Sequence, residues 1–145
     1  VADPRLAVSH KGAGYLALPF IAGGTAGTAI TYSATASGGC ASVGLAVTLS
    51  AANTVALVAD GGAVLGKLLL VESDGVCTVQ VKGSMTLPGG TGASLTLGKK
   101  IVGAVNGSGA DGYIREVATA TAAELGVCKG EILDAGTTTA VEVLL

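Results

Sequence analysis

Apolar and polar positions change rhythm along this chain, and the clearest rhythm lies between Thr54 and Gly83. Within it, Cys77, Val79 and Val81 alternate with Thr78, Gln80 and Lys82, the period of two that gives a strand one dry and one wet face. Two further apolar runs precede it, and Asp60-Gly61-Gly62 and Ser73-Asp74-Gly75 separate the three. Asp-Gly pairs suit tight reversals, because Gly tolerates positive φ and the Asp side chain bonds its own backbone. Each run is too short for a typical helix and is rich in Val and Leu. The pattern predicts an antiparallel meander at the centre of a β domain.

Similar short runs recur on either side. Val43–Leu49 alternates weakly, and Gly83–Leu87 is a brief run before the loop Pro88–Gly92. Ile101–Val105 and Tyr113–Val117 read as strands around a long turn starting at Asn106-Gly107. Ile132-Leu133 and Ala140–Leu145 read as closing strands around Asp134-Ala135-Gly136. Ala29–Tyr32 is a weaker strand candidate between glycine pairs. One helix is predicted near residues 121–126. Thr121 and Glu124 have the spacing of a capping box, and Gly126 supplies a stop. Strands at short intervals with a single short helix predict an all-β fold, a small closed barrel or sandwich.

Residues 1–18 lack periodicity and read as an extended arm, with residues 19–145 as one β domain. Two readings of the stretch around Tyr15, Leu16, Leu18, Phe20 and Ile21 stand open: docking residues of the arm, or a first strand lying on the chain's own domain.

Composition narrows the function classes. Half of the 145 residues are apolar, yet there are only three Tyr, one Phe and no Trp, so the core must be aliphatic. Net charge is −2, without the clustered Lys or Arg that attracts nucleic acid or anionic lipid. So little charge on so apolar a chain predicts a surface covered by copies of itself or by a partner. The most apolar region, Val55–Val71, is broken by Asp60, Gly61, Gly62 and Lys67, so no membrane span is expected. The first residues lack the pattern of a secretory signal. Cys40, Cys77 and Cys128 are odd in number and widely spaced, which predicts free thiols rather than a disulfide framework or a zinc site.

Two glycine motifs invite a chemical reading. Gly61–Lys67 matches most of a phosphate-binding loop, but Leu68 stands where Ser or Thr would hold magnesium, and a strand-like run follows. Gly107–Gly112 spells G-x-G-x-x-G after a strand, with Glu131 downstream as a candidate ribose partner. The capping box starts its helix too late for a dinucleotide site, and no alternation of strands and helices follows. The single histidine, His10, has no nucleophile or paired acid near it in sequence. Glu72 and Asp74 flank a turn without the spacing of a calcium loop. No enzyme activity, metal or cofactor is expected.

Several stretches together resemble a family. Val55–Gly61, Gly66-Lys67-Leu68, Val71-Glu72 and Asp74–Val81 are similar to head decoration, or cement, proteins of tailed bacteriophages. Leu87–Gly92, Gly98–Gly103 and Gly130–Leu145 extend the likeness across residues 43–145. The resemblance implies a small β-barrel or β-tulip domain on the outer surface of a virion capsid, made in the host bacterial cytoplasm. It implies a homotrimer whose partner is the major capsid protein, with terminal arms laid over neighbouring coat subunits and no catalytic residues. Arg5, Leu6, Val8, Tyr15 and Leu16 are then the candidate partner-binding residues: Arg5 for coat carboxylates, the others for apolar grooves. The loops Pro88–Gly92 and Asn106–Gly112 are the competing attachment points. A carbohydrate-binding or host-attachment module is the alternative function, and the scarcity of aromatic faces weighs against it.

Overall fold

The computed structural model describes residues 14–118, 122–137 and 139–145. The fold is all-β with one short helix. Five strands form a closed barrel in the order β1-β3-β2-β4-β5: β1 (Leu16–Ala22), β2 (Ala46–Ala51), β3 (Thr54–Leu57), β4 (Gly66–Val71) and β5 (Val76–Lys82). Three more make a sheet ordered β6-β10-β9, from β6 (Ser84–Leu87), β9 (Glu131–Thr137) and β10 (Ala140–Leu144). The hairpin β7 (Ile101–Ala104) and β8 (Tyr113–Glu116) stands beside them, and α1 (Ala122–Val127) follows it.

The barrel interior is lined with buried aliphatic side chains. Val47, Val55, Leu57, Leu68, Val71, Cys77 and Val79 fill it, and Ile30 and Cys40 from the loop between β1 and β2 join the same cluster. A five-stranded barrel is narrow, so valine and cysteine fit where aromatics would not. Phe20, on β1, packs against this cluster from the side. The barrel wall brings chains unusually close at Gly66. A Cβ there would overlap the Gln80 carbonyl oxygen on β5, so no other residue fits without moving the strand.

A second core lies outside the barrel. Ala46, Val58 and Val64 face it from the barrel wall and its loops, while Met85, Leu87, Ile101, Ile114, Ile132, Val141 and Val143 face it from the C-terminal half. Successive residues of β2 serve the two cores, Ala46 outside and Val47 inside. The wall is therefore buried on both sides at the start of β2 and along most of β3. Gly103 locks the C-terminal half to that wall: its N–H donates to the Gly62 carbonyl (2.8 Å) and its carbonyl accepts from the Gly61 N–H (2.9 Å). A side chain at position 103 would collide with the Ala59 carbonyl.

Several expectations are corrected in detail. Residues 54–83 form three strands, but they are not a meander. β4 and β5 pair as a hairpin, whereas β3 pairs with β2 and, in parallel, with β1. Closing the barrel needs strands from both ends of the segment to meet others, and that demand outranks simple succession. Gln80 is on the polar face yet only 6% exposed, with its amide donating to the carbonyls of Lys82 (3.2 Å) and Ser84 (3.0 Å) where the chain crosses it. Asp134-Ala135-Gly136 is part of β9 instead of a turn, and Ala29–Tyr32 forms no strand. The boundary of the arm at residue 18 is also corrected, because β1 starts at Leu16 and pairs along β5 from Leu16↔Lys82 to Ile21↔Val76. Of the capping box, Thr121 lies outside the described residues. Glu124 turns its carboxylate to the β7–β8 hairpin.

Candidate functional site

Of the five residues singled out for partner binding, Arg5, Leu6 and Val8 lie outside the described residues. Tyr15 and Leu16 adjoin each other where the chain enters the barrel, and both are exposed. They open an apolar stretch that continues through Leu18 and Ile21, the last 54% exposed. Leu18 and Phe20 share one face of β1, and Ala17, Pro19 and Ile21 share the other; a register shift between Leu16 and Ala17 takes Leu16 out of this alternation. Pairing carries the second face across the barrel: Pro19 lies opposite Thr78, Thr78 opposite Leu70, and Ile21 opposite Val76. Leu70 is exposed as well. This outer face bears no charge from Pro19 to Leu70.

The edge of β1 is half open. β3 accompanies it only at Ile21 and Ala22. There the N–H groups of Ile21 and Gly23 turn toward β3 and bond the carbonyls of Asn53 (2.8 Å) and Val55 (2.9 Å). By alternation, position 19 would aim its N–H to the same side, beyond the point where β3 ends. It is proline and has none to offer. Proline there blunts the edge against strand addition. What this region offers a partner is its side chains.

The two loops named as competing attachment points meet one another. A Cβ on Gly107 would stand 3.2 Å from the Thr91 hydroxyl. The Gly90 N–H donates to the Ile114 carbonyl (2.8 Å), and the Thr91 N–H to the Val105 carbonyl (3.2 Å), which hold the first loop along the hairpin. Asn106 organises the second loop. Its Oδ1 accepts from the Ser108 N–H (3.0 Å), the Ser108 hydroxyl (2.8 Å) and the Ala110 N–H (2.9 Å), while its amide donates to the Tyr113 hydroxyl (3.2 Å). The sequence signal for this cluster was present as Asn-Gly, a turn former, but its contact with Thr91 depends on the tertiary fold.

The chemical motifs dissolve into structure. Gly107–Gly112 is the hairpin loop between β7 and β8, so strand, not helix, follows it. Gly61–Lys67 runs straight into β4. Among the described residues, no group of three His, Cys, Asp or Glu is placed to hold a metal ion. All three cysteines are free, with Cys40 and Cys77 buried. Burial, with Cys40 nearby, pushes the Cys77 thiol upward, away from the reactive thiolate. Burial lowers Lys67 and Lys129 from the usual lysine range. Among the described residues, no helix is long and apolar enough to cross a membrane.

One polar constellation escaped sequence reading. Arg115 on β8 donates from Nε to Asp60 (2.9 Å) and from both terminal nitrogens to Glu124 (2.6 and 3.0 Å). Glu124 also accepts from the Ala118 N–H (3.1 Å). The guanidinium and this N–H hold the Glu124 carboxyl down at about 2. Beside it opens a cleft of about 390 Å³ lined in part by Ser94, Lys99, Arg115 and Glu116. Arg115 is occupied by its two carboxylates, and Glu116 accepts from the Thr96 N–H (2.9 Å). The arrangement ties loops together. Nothing in the sequence spacing of Asp60, Arg115 and Glu124 could have joined them. Comparison with protein-family models, with curated proteins and with solved structures gives no match.

Proposed function

We propose that this chain is a structural decoration protein that binds the outer surface of a tailed-phage head and braces it against the pressure of packaged DNA. The observation that carries the reading is the uncovered apolar stretch Tyr15, Leu16, Leu18 and Ile21, set where the N-terminal segment joins a rigid barrel. The sequence resemblance over residues 43–145 supplies the partner, the major capsid protein, and the homotrimeric state. A cement needs no catalytic group. It needs a stiff body and contacts that span more than one coat subunit. The closed barrel gives stiffness, because none of its strands can slide without breaking paired neighbours. An extended segment reaches up to about 3.3 Å per residue, so the residues before β1 are enough to cross a subunit boundary. Arg5 pairs with coat carboxylates in this reading, and Leu6, Val8, Tyr15 and Leu16 fill apolar grooves. Modest contacts repeated around a trimer bind through effective concentration.

Heating capsids with and without the protein tests this. Bare capsids should release DNA at a lower temperature, and purified protein added back should restore the difference. A variant lacking residues 1–14 should keep its β circular dichroism spectrum and fail to rescue. Unchanged rescue would transfer attachment to the Thr91–Gly107 loop pair. No effect of the full-length protein would discard the cement reading, and binding to a glycan array would then favour the host-attachment alternative.

A further inference from the structure

The helix α1 sits on the molecule in an unusual way. It buries none of its residues, and Leu125 and Val127 are exposed. A six-residue helix has too few turns to hold itself together in water. Its one polar side chain, Glu124, carries what fixes it. Both carboxylate oxygens bond the Arg115 guanidinium (2.6 and 3.0 Å), and one also takes the Ala118 N–H (3.1 Å). A two-pronged carboxylate–guanidinium contact is directional and charge-assisted, and here it is shielded, with Glu124 12% and Arg115 22% exposed. The chain leaves and rejoins the sheet at neighbouring points. The Val117 N–H donates to the Lys100 carbonyl (2.9 Å), and Lys129 exchanges two bonds with Ile101 (3.0 and 3.3 Å). The feet of the excursion are therefore pinned on the two edges of β7 at its start, and among the described residues the hydrogen bonds from the helix to the hairpin come from Glu124.

We propose that α1 is a latched element, which lifts off the β7–β8 hairpin as a unit while the barrel and both cores stay folded, with Glu124 on Arg115 as its latch. Lifting exposes no buried side chain of the helix and breaks none of the barrel pairing. Asp60 holds Arg115 in place from the other side, through Nε, so the receiving half of the latch stays formed when the helix is away.

Hydrogen exchange followed by mass spectrometry on the full chain, across a urea series, tests the latch. In the unmodified protein, amides of α1 and the Cys128 N–H, which bonds the Glu124 carbonyl at 2.8 Å, should exchange at least roughly tenfold faster than those of Cys77–Gln80 in β5. Their rates should barely respond to urea, since a small opening uncovers little surface. Glu124→Gln should speed α1 by roughly another tenfold, keep its weak response to urea, and speed β5 by no more than the same factor. Asp60→Asn should change α1 much less. Exchange of α1 at the rate and urea dependence of β5 would show that it opens only with the whole molecule, and would overturn the proposal. So would an E124Q variant with no faster exchange, or a D60N variant as fast as E124Q. If E124Q does not fold, the urea series on the unmodified chain decides alone.

Discussion

The barrel and the C-terminal half solve the same problem differently. Both bury aliphatic side chains completely, from Leu68 and Val79 in one to Leu87, Ile101 and Ile132 in the other. The barrel satisfies its backbone by closure: each strand pairs on both sides, although β1 meets β3 only at Ile21 and Ala22 and β2 meets β4 only at Ala46 and Val47. The C-terminal half has a three-stranded sheet and a two-stranded hairpin that do not close. It depends on other devices: Gly103 bonded to the β3–β4 loop, Asn106 folding its own turn, and Arg115 gripping two carboxylates. The difference teaches that the second half borrows the barrel wall as a floor, and so is not an independent body. Ala46 and Val47, neighbours on β2, belong to different cores.

The largest effect should come from emptying either core. Leu68→Ala and Leu87→Ala each remove a fully buried side chain and should cost about 2–5 kcal/mol. If the shared wall couples the halves, urea unfolding of both variants will remain one transition, seen alike by circular dichroism and by tyrosine fluorescence. Two separated transitions in Leu87→Ala would divide the molecule where the comparison joins it. A smaller loss is expected from Asn106→Ala, which strips three acceptor contacts from one loop. About 1–2 kcal/mol should disappear, read as a lower urea midpoint with an unchanged slope. Because the two halves unfold together, barrel amides that open only with the whole molecule should exchange faster by the same free energy.

The smallest effect sharpens the contrast through pH. Glu124 is held at about 2 in the folded chain against an ordinary value of 4.5. A carboxyl depressed by folding contributes stability that is fully present above its unfolded value and lost as pH falls through its folded one. The contribution should therefore be constant above about pH 5 and decline between 4.5 and 2. Thermal melts across that window should show a steeper fall for the unmodified chain than for Glu124→Gln. Parallel curves would mean that the clasp adds nothing to folding.

Much of this architecture was legible in the residues. Period two between Val76 and Lys82 marked β5, the Asp-Gly turns bounded β4, and Asn106-Gly107 marked the hairpin loop, because these are local properties of short stretches. The free thiols followed from the odd cysteine count. The pairing of β3 was not legible. Its run Val55–Val58 is apolar throughout, since one face looks into the barrel and the other toward the second core, and a strand buried on both sides loses its alternation. Gln80 was read as wet for the converse reason: its side chain is polar, but the chain crossing at Lys82–Ser84 removes the water.

By itself, the sequence determined the elements, their approximate order, the aliphatic character of the interior and the lack of a continuous apolar span. Each of these depends on neighbours within a few residues. Only the tertiary structure decided that β1 is a barrel strand from Leu16 onward, that the barrel closes through β1 and β3, and that Thr91 meets Gly107. It alone brought Asp60, Arg115 and Glu124 together, across 55 and 9 residues of chain. Contacts of that kind are set by how sheets twist and close in space, and a single sequence carries no periodic trace of them.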